Sequence, residues 1–232
     1  DKEADAFFPE IIPVVWNEIS HKEHRADEKN PFNYTFSVYK RLNWQNEQLC
    51  ETYTMILSDK KILEQVRQGT IVIKPFKVSD LGGNSYDVHL SKYLAQYVDK
   101  TLDAKKHNKV RHFEIPKRGF VLKPGQLYLA STEEYTETHK HVPFLEGKSS
   151  TGRLGIDIHA TAGKGDVGFC GFWTLEMSAS KPVKIYTGMP IGQLIFYVVD
   201  GKVERLYHKK KGAKYSHQDK LPRESMMWKN FQ

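Results

Sequence analysis

From Thr70 onward the chain is cut into short β-prone runs closed by glycine or proline, and this punctuation constrains the fold more than any other feature. The runs are Thr70 to Phe76, Ser85 to Leu90, Gln126 to Ser131, Phe172 to Ser178, Val183 to Tyr186 and Gln193 to Val199. Between them lie Gly82-Gly83, Lys123-Pro124-Gly125, Gly163 to Gly168 and Thr187-Gly188. Many short strands with such turns predict an all-β barrel or distorted jelly roll carrying a few short helices. One helix is expected ahead of them: Ser58 can cap it, Asp59 suits its positive end, Ile62, Leu63 and Val66 share one face, and Gly69 ends it.

Residues 1–54 read as an extension whose role the sequence does not disclose. Pro9 and Pro13 interrupt an apolar stretch and leave a helix only from about Pro13 to Ser20. Phe32, Tyr34, Phe36 and Val38 alternate with polar neighbours, which predicts a strand. The expected organisation is therefore an extension (1–54), a barrel domain (55–200) and a basic tail (201–232).

Composition removes several classes. No run approaches the roughly 18 apolar residues of a membrane span, and no basic-then-apolar leader pattern opens the sequence. The two cysteines, Cys50 and Cys170, make neither a disulfide framework nor a zinc site, which favours a reducing, cytoplasmic location. The net charge is +7, with much of the basicity late in the chain. That balance suits polyanions, nucleoside triphosphates and nucleic acid alike.

Two tempting motifs fail. Gly147-Lys148-Ser149 resembles the end of a phosphate-binding loop, but Val142 stands where the motif needs its first glycine. His21-Lys22-Glu23 gives half of a zinc-deaminase signature, yet no Cys-x-x-Cys exists to complete it. The informative block is Leu145 to Glu176. Lys148, Ser149, Ser150 and Arg153 place two cations and two hydroxyls within six residues beside Gly147 and Gly152, a composition suited to phosphate oxygens. Gly163-Lys164-Gly165-Asp166 reads as a turn bearing one carboxylate. Glu176 interrupts the strand pattern Phe172 to Met177, where a carboxylate among apolar neighbours is a candidate for a raised pKa and general acid–base work.

These residues carry a resemblance. The stretch from Met55 to Gln218 resembles the dCTP deaminase family, in the superfamily of trimeric dUTPases. Its matches include Met55 to Asp59, Asn84 to Val88, Leu122 to Gly125, Pro182 to Gly188 and Ile191-Gly192-Gln193-Leu194, in order. The resemblance implies a homotrimeric dUTPase-like barrel with active sites at subunit junctions. Triphosphate contacts would fall on Lys148, Ser149, Ser150 and Arg153. Thr161-Ala162 would read the cytosine edge, Glu176 would be catalytic, and Asp166 and Gln193 would join the site. Tyr207, Lys214 and Gln218 match the spacing of a tail that closes over the nucleotide. Mg²⁺ would travel on the triphosphate, with no metal on protein side chains and no zinc.

Two positions depart from the family pattern: His89 stands where arginine is frequent, and Lys164-Gly165 precedes the turn aspartate, which suggests a looser turn. The primary expectation is hydrolysis of dCTP to dUTP and ammonia. The alternative is a bifunctional enzyme that continues to dUMP and pyrophosphate, with Asp166 assisting the second step. A pure dUTPase and a non-catalytic nucleic-acid binder rank lower.

Overall fold

The computed structural model describes residues 16–41 and 56–232, and the chain divides into two units, Asp1–Thr54 and Met55–Gln232. Met55 and Cys50, and the part of the expected helix before Trp16, lie outside the described residues.

In the first unit, β1 (Trp16–His24) and β2 (Tyr34–Arg41) form an antiparallel hairpin. The strand expected at Phe32 to Val38 is present in β2. The expected helix is not, over its described part: Trp16, Asn17, Glu18 and Ser20 pair with β2, and Ile19 is the extra residue of a bulge. The turn is built locally, with Asp27 Oδ1 accepting from the amides of Lys29 and Asn30 at 2.9 and 2.8 Å.

The second unit opens with α1 (Asp59–Arg67), whose cap is the expected one. Ser58 Oγ accepts from the Lys61 amide at 3.4 Å, Ile62 is fully buried, and Gly69 follows with φ +71°. Ten strands come next: β3 (Ile71–Lys74), β4 (Tyr86–Tyr97), β5 (Val110–Glu114), β6 (Phe120–Leu122), β7 (Tyr128–Thr138), β8 (Val142–Gly147), β9 (Ile156–Asp157), β10 (Cys170–Ala179), β11 (Val183–Ile185) and β12 (Pro190–Tyr197). The main sheet runs β8-β12-β4-β7-β10-β9, with β3 added on β7 and β5 on β4, and β6 pairs with β11 apart from it. All pairings are antiparallel. The sheet curls into a nearly closed barrel.

Alternation decides which face of each strand enters the barrel. In β4, Tyr86, Val88 and Leu90 are fully buried, while Asp87 and His89 between them are half-buried. In β10, Leu175 and Met177 are fully buried and Thr174 and Glu176 are not. Burial of each such apolar side chain contributes about 1.5–3 kcal/mol. A second short helix, α2 (Ser149–Arg153), follows β8. Among the described residues no helix is long and apolar enough to cross a membrane.

Candidate active site

The bulge in β10 between Phe172 and Thr174 positions the site. Beyond it Thr174 and Glu176 share the half-buried face, and that face floors a cavity of about 490 Å³. Trp173 is anchored beneath by its indole N–H, which donates to Thr136 Oγ1 at 2.9 Å. Burial pushes the Glu176 carboxyl above the ordinary carboxylate range, against the opposing influence of His159 and of amides at Glu176 and Ala160. A carboxyl so placed holds a proton to higher pH than a surface glutamate and can both accept and return one.

The loop that brings Ala160 to Glu176 is tightly fixed. The Leu145 amide donates to Gly163 O and the Gly165 amide to Pro143 O, both at 2.8 Å, so residues 163–165 run along β8. A Cβ on Gly165 would lie 2.7 Å from the Trp173 ring and 2.8 Å from Pro143. The Lys164-Gly165 turn is thus pinned rather than loose: glycine lets the backbone lie against the tryptophan, and Lys164 Nζ pairs with Asp166 Oδ1 at 2.7 Å. Asp166 and Lys164 both line the cavity from half-exposed positions.

The tail supplies the facing wall. The Tyr207 amide donates to Val167 O at 2.8 Å, and the Tyr215 amide donates to the Tyr207 hydroxyl at 3.0 Å. Gln218 is buried, its backbone pairs with Gly171, and its side-chain amide donates to Thr174 Oγ1. Tyr207, Tyr215, Gln218 and Arg223 all line the cavity.

Of the residues singled out in the sequence, Glu176, Asp166, Ala162, Tyr207 and Gln218 meet at this cavity. Lys148, Ser149, Ser150, Arg153, Thr161, Gln193 and Lys214 do not line it. Thr161 is exposed beside Ala162, and Lys214 Nζ reaches Asn230 Oδ1 in the tail. The phosphate-type set clusters instead at the β8–α2 junction. Ser149, Ser150 and Arg153 are exposed on α2, Lys148 pairs with Asp87, and Gln193 accepts from Ser85 Oγ at 3.1 Å. One chain therefore holds the two sets apart, Glu176 and Asp166 at the cavity and Lys148, Ser149, Ser150 and Arg153 around α2.

Sequence reasoning missed several cavity residues, among them Trp173 and Tyr97. It also missed His159, whose Nε2 lies 3.7 Å from Glu146 Oε2 while its buried Nδ1 has no hydrogen-bond partner among the described residues. Its place two residues before Thr161 was the available signal. At the departure His89, the backbone N–H donates to Glu134 Oε2 at 2.9 Å and ring Nδ1 lies 2.7 Å from Oε1. Histidine thus serves a buried carboxylate there.

A carboxyl raised by burial on the floor of a cavity is a candidate for acid–base chemistry. Comparison with known proteins narrows this. Residues 56–199 match the family model described as dCTP deaminase-like, and residues 1–41 match that of dihydrofolate reductase. A protein of Clostridium acetobutylicum named "dCTP deaminase, dUMP-forming" is 46% identical over 177 residues, 76% of this chain and 99% of its own length. One of the same name from Clostridium botulinum (strain Eklund 17B) is 44% identical over 178 residues, 77% of this chain and 99% of its own. The crystal structure of 2′-deoxycytidine 5′-triphosphate deaminase from Agrobacterium tumefaciens superposes with a TM-score of 0.52 at 20% identity, covering 62% of this chain and 48% of that one, and supports the fold. The chain belongs to the dCTP deaminase family.

Proposed function

We propose that the chain deaminates dCTP and carries the product on to dUMP. The observation that carries the first half is the half-buried carboxyl of Glu176 on the cavity floor, which burial pushes above the ordinary carboxylate range. The second half rests on relatives named dUMP-forming, which favour the bifunctional alternative over release of dUTP.

Water is a weak nucleophile and the cytosine amine a poor leaving group. Glu176 takes a proton from water as its oxygen bonds to C4 of the ring. The same carboxyl delivers that proton to N3 of the ring and then carries the proton of the new C4 hydroxyl to N4; the C4–N4 bond breaks as the C4 carbonyl forms, and ammonia leaves. Backbone amides of the 160–162 loop suit the oxygen of the tetrahedral centre. In the second reaction a water attacks the α-phosphorus of dUTP and pyrophosphate departs, with Asp166 placed to orient that water.

Cations and hydroxyls at Lys148, Ser149, Ser150 and Arg153 fit phosphate oxygens better than a bare metal ion. Mg²⁺ accordingly enters as part of the nucleotide substrate, neutralising charge on the triphosphate. Because the two sets lie apart within one chain, the site is completed between subunits, and the family resemblance makes the working unit a homotrimer in which α2 of one subunit faces Glu176 of its neighbour.

Chromatography of a reaction with dCTP and Mg²⁺ tests the reading. Accumulation of dUMP with pyrophosphate supports it, quantitative dUTP removes the second step, and unchanged dCTP refutes both.

A further inference from the structure

The hairpin of the first unit carries a surface that neither half of the proposed reaction uses. Cross-strand pairs put His24 opposite Tyr34, Lys22 opposite Phe36 and Ser20 opposite Val38, so these residues share one face. His24 stacks on Tyr34 at 4.9 Å, and Phe36 packs edge-on to both. The cluster is nevertheless open, with Phe36 62% and Val38 52% exposed. Ile19, the extra residue of a bulge in β1, is 56% exposed. The opposite face is mixed: His21 pairs with Glu18 at 2.9 Å and Ser37 Oγ lies 3.3 Å from the His21 ring, while the register sets Trp16 and Tyr39 on the same side.

A two-stranded sheet that leaves an aromatic cluster this open is half of a packed layer. Two strands alone are marginal in water, yet this hairpin has a specific register and a purpose-built Asp27 turn. Two findings say what covers the open face. Residues 1–41 match the dihydrofolate reductase family model, and 41 residues are too few for the core of such a domain. The rest cannot come from the second unit, because residues 56–199 fit a different family model and 178 aligned residues already span 99% of a deaminase relative.

We propose that the β1–β2 hairpin is part of a dihydrofolate reductase-type sheet whose other strands lie on polypeptide outside residues 1–232, and that His24, Tyr34, Phe36 and Val38 pack against them. The deaminase unit is thereby tethered to a folate-reductase domain. The hairpin is the element of that domain next to the tether in sequence.

The probe is a dihydrofolate reductase truncated to remove the segment that residues 1–41 match. It is mixed with the 232-residue chain, and amide hydrogen exchange is followed by mass spectrometry. Peptides from 16–41 should gain at least about tenfold protection on mixing, and Phe36→Asp should abolish the gain. No added protection at excess fragment overturns the proposal. So does protection in the chain alone that grows with its own concentration, which would make a second copy the occupant. So does undiminished protection in Phe36→Asp. Deamination of dCTP, read on the same samples, depends on residues 55–232 and should be unchanged by Phe36→Asp, so failure of this proposal and of the deaminase reading are distinguishable.

Discussion

Replacing Glu176 by glutamine separates the chemistry of the site from its architecture. Glutamine matches the carboxylate in size and keeps an oxygen to accept from the Ala160 amide, but it cannot take a proton from water. Loss of a positioned general base costs about 10²–10⁴ in rate, which corresponds to roughly 2.7–5.4 kcal/mol of barrier. KM for dCTP should change little, because the cationic set at α2 is untouched. Stability should move the other way. Burial raises the folded-state pKa of Glu176, so the folded protein holds a proton that the unfolded chain has released. The stability this gives is complete below the unfolded pKa and is lost as pH rises through the folded one. Above that window the wild type carries a buried, desolvated charge that Glu176→Gln lacks. Thermal unfolding at pH 8 should show the variant more stable than the wild type, with the gap closing at pH 4. Steady-state deamination assays and melting curves at the two pH values check both halves. Deamination within tenfold of wild type would refute the assignment of the base, and a variant less stable at pH 8 would refute the burial argument.

Three further outcomes are expected. Asp166→Asn should leave deamination within a few-fold of wild type and shift the product from dUMP toward dUTP, as read by chromatography. Gly165→Ala drives a Cβ into Trp173 and Pro143; overpacking should cost about 1–3 kcal/mol in denaturant melts and raise KM as the 160–166 loop is displaced. Co-expressed Arg153→Ala and Glu176→Gln chains, each nearly inactive alone, should recover about a quarter of wild-type activity if sites are shared between subunits, and no rescue would place the whole site in one chain.

Much of the barrel was legible because its central strands alternate cleanly. The strands missed were those whose sequences hide their role. β8 carries Pro143, which argues against a strand interior, yet the strand pairs with β12 and residues 163–165 run along it, the Pro143 carbonyl accepting from the Gly165 amide. β5 is Val-Arg-His-Phe-Glu, mostly polar because it pairs on one side only, with β4. Trp16 to Ser20 fit a helix after Pro13 by local pattern, and only pairing across a turn to residues 38–41 makes them a strand. In the site, Glu176 stood out as a misplaced charge and Asp166 as a turn carboxylate. The separation of Arg153 from the Glu176 cavity could not be read from a span of 23 positions. The close fit of Gly165 against Trp173 depends on a contact between residues on different elements, and read locally the same glycine suggests slack.

The placing of Glu176 at the cavity and the barrel core are set by one strand register. Leu175 and Met177 are fully buried on either side of Glu176 in the chain, and that burial forces Glu176 onto the opposite face. Sliding β10 by one residue would place the carboxylate in the barrel interior and two large apolar groups in the cavity, at a cost of several kcal/mol. The bulge between Phe172 and Thr174 takes up the one irregularity in pairing with β7. It allows Trp173 to be buried and tied to Thr136 while Thr174 and Glu176 remain at the cavity, where Gln218 closes on Thr174. Substitutions that loosen the core under β10 should therefore alter the pKa and reach of Glu176 before they unfold the barrel, since position and burial of the carboxyl derive from the same packing.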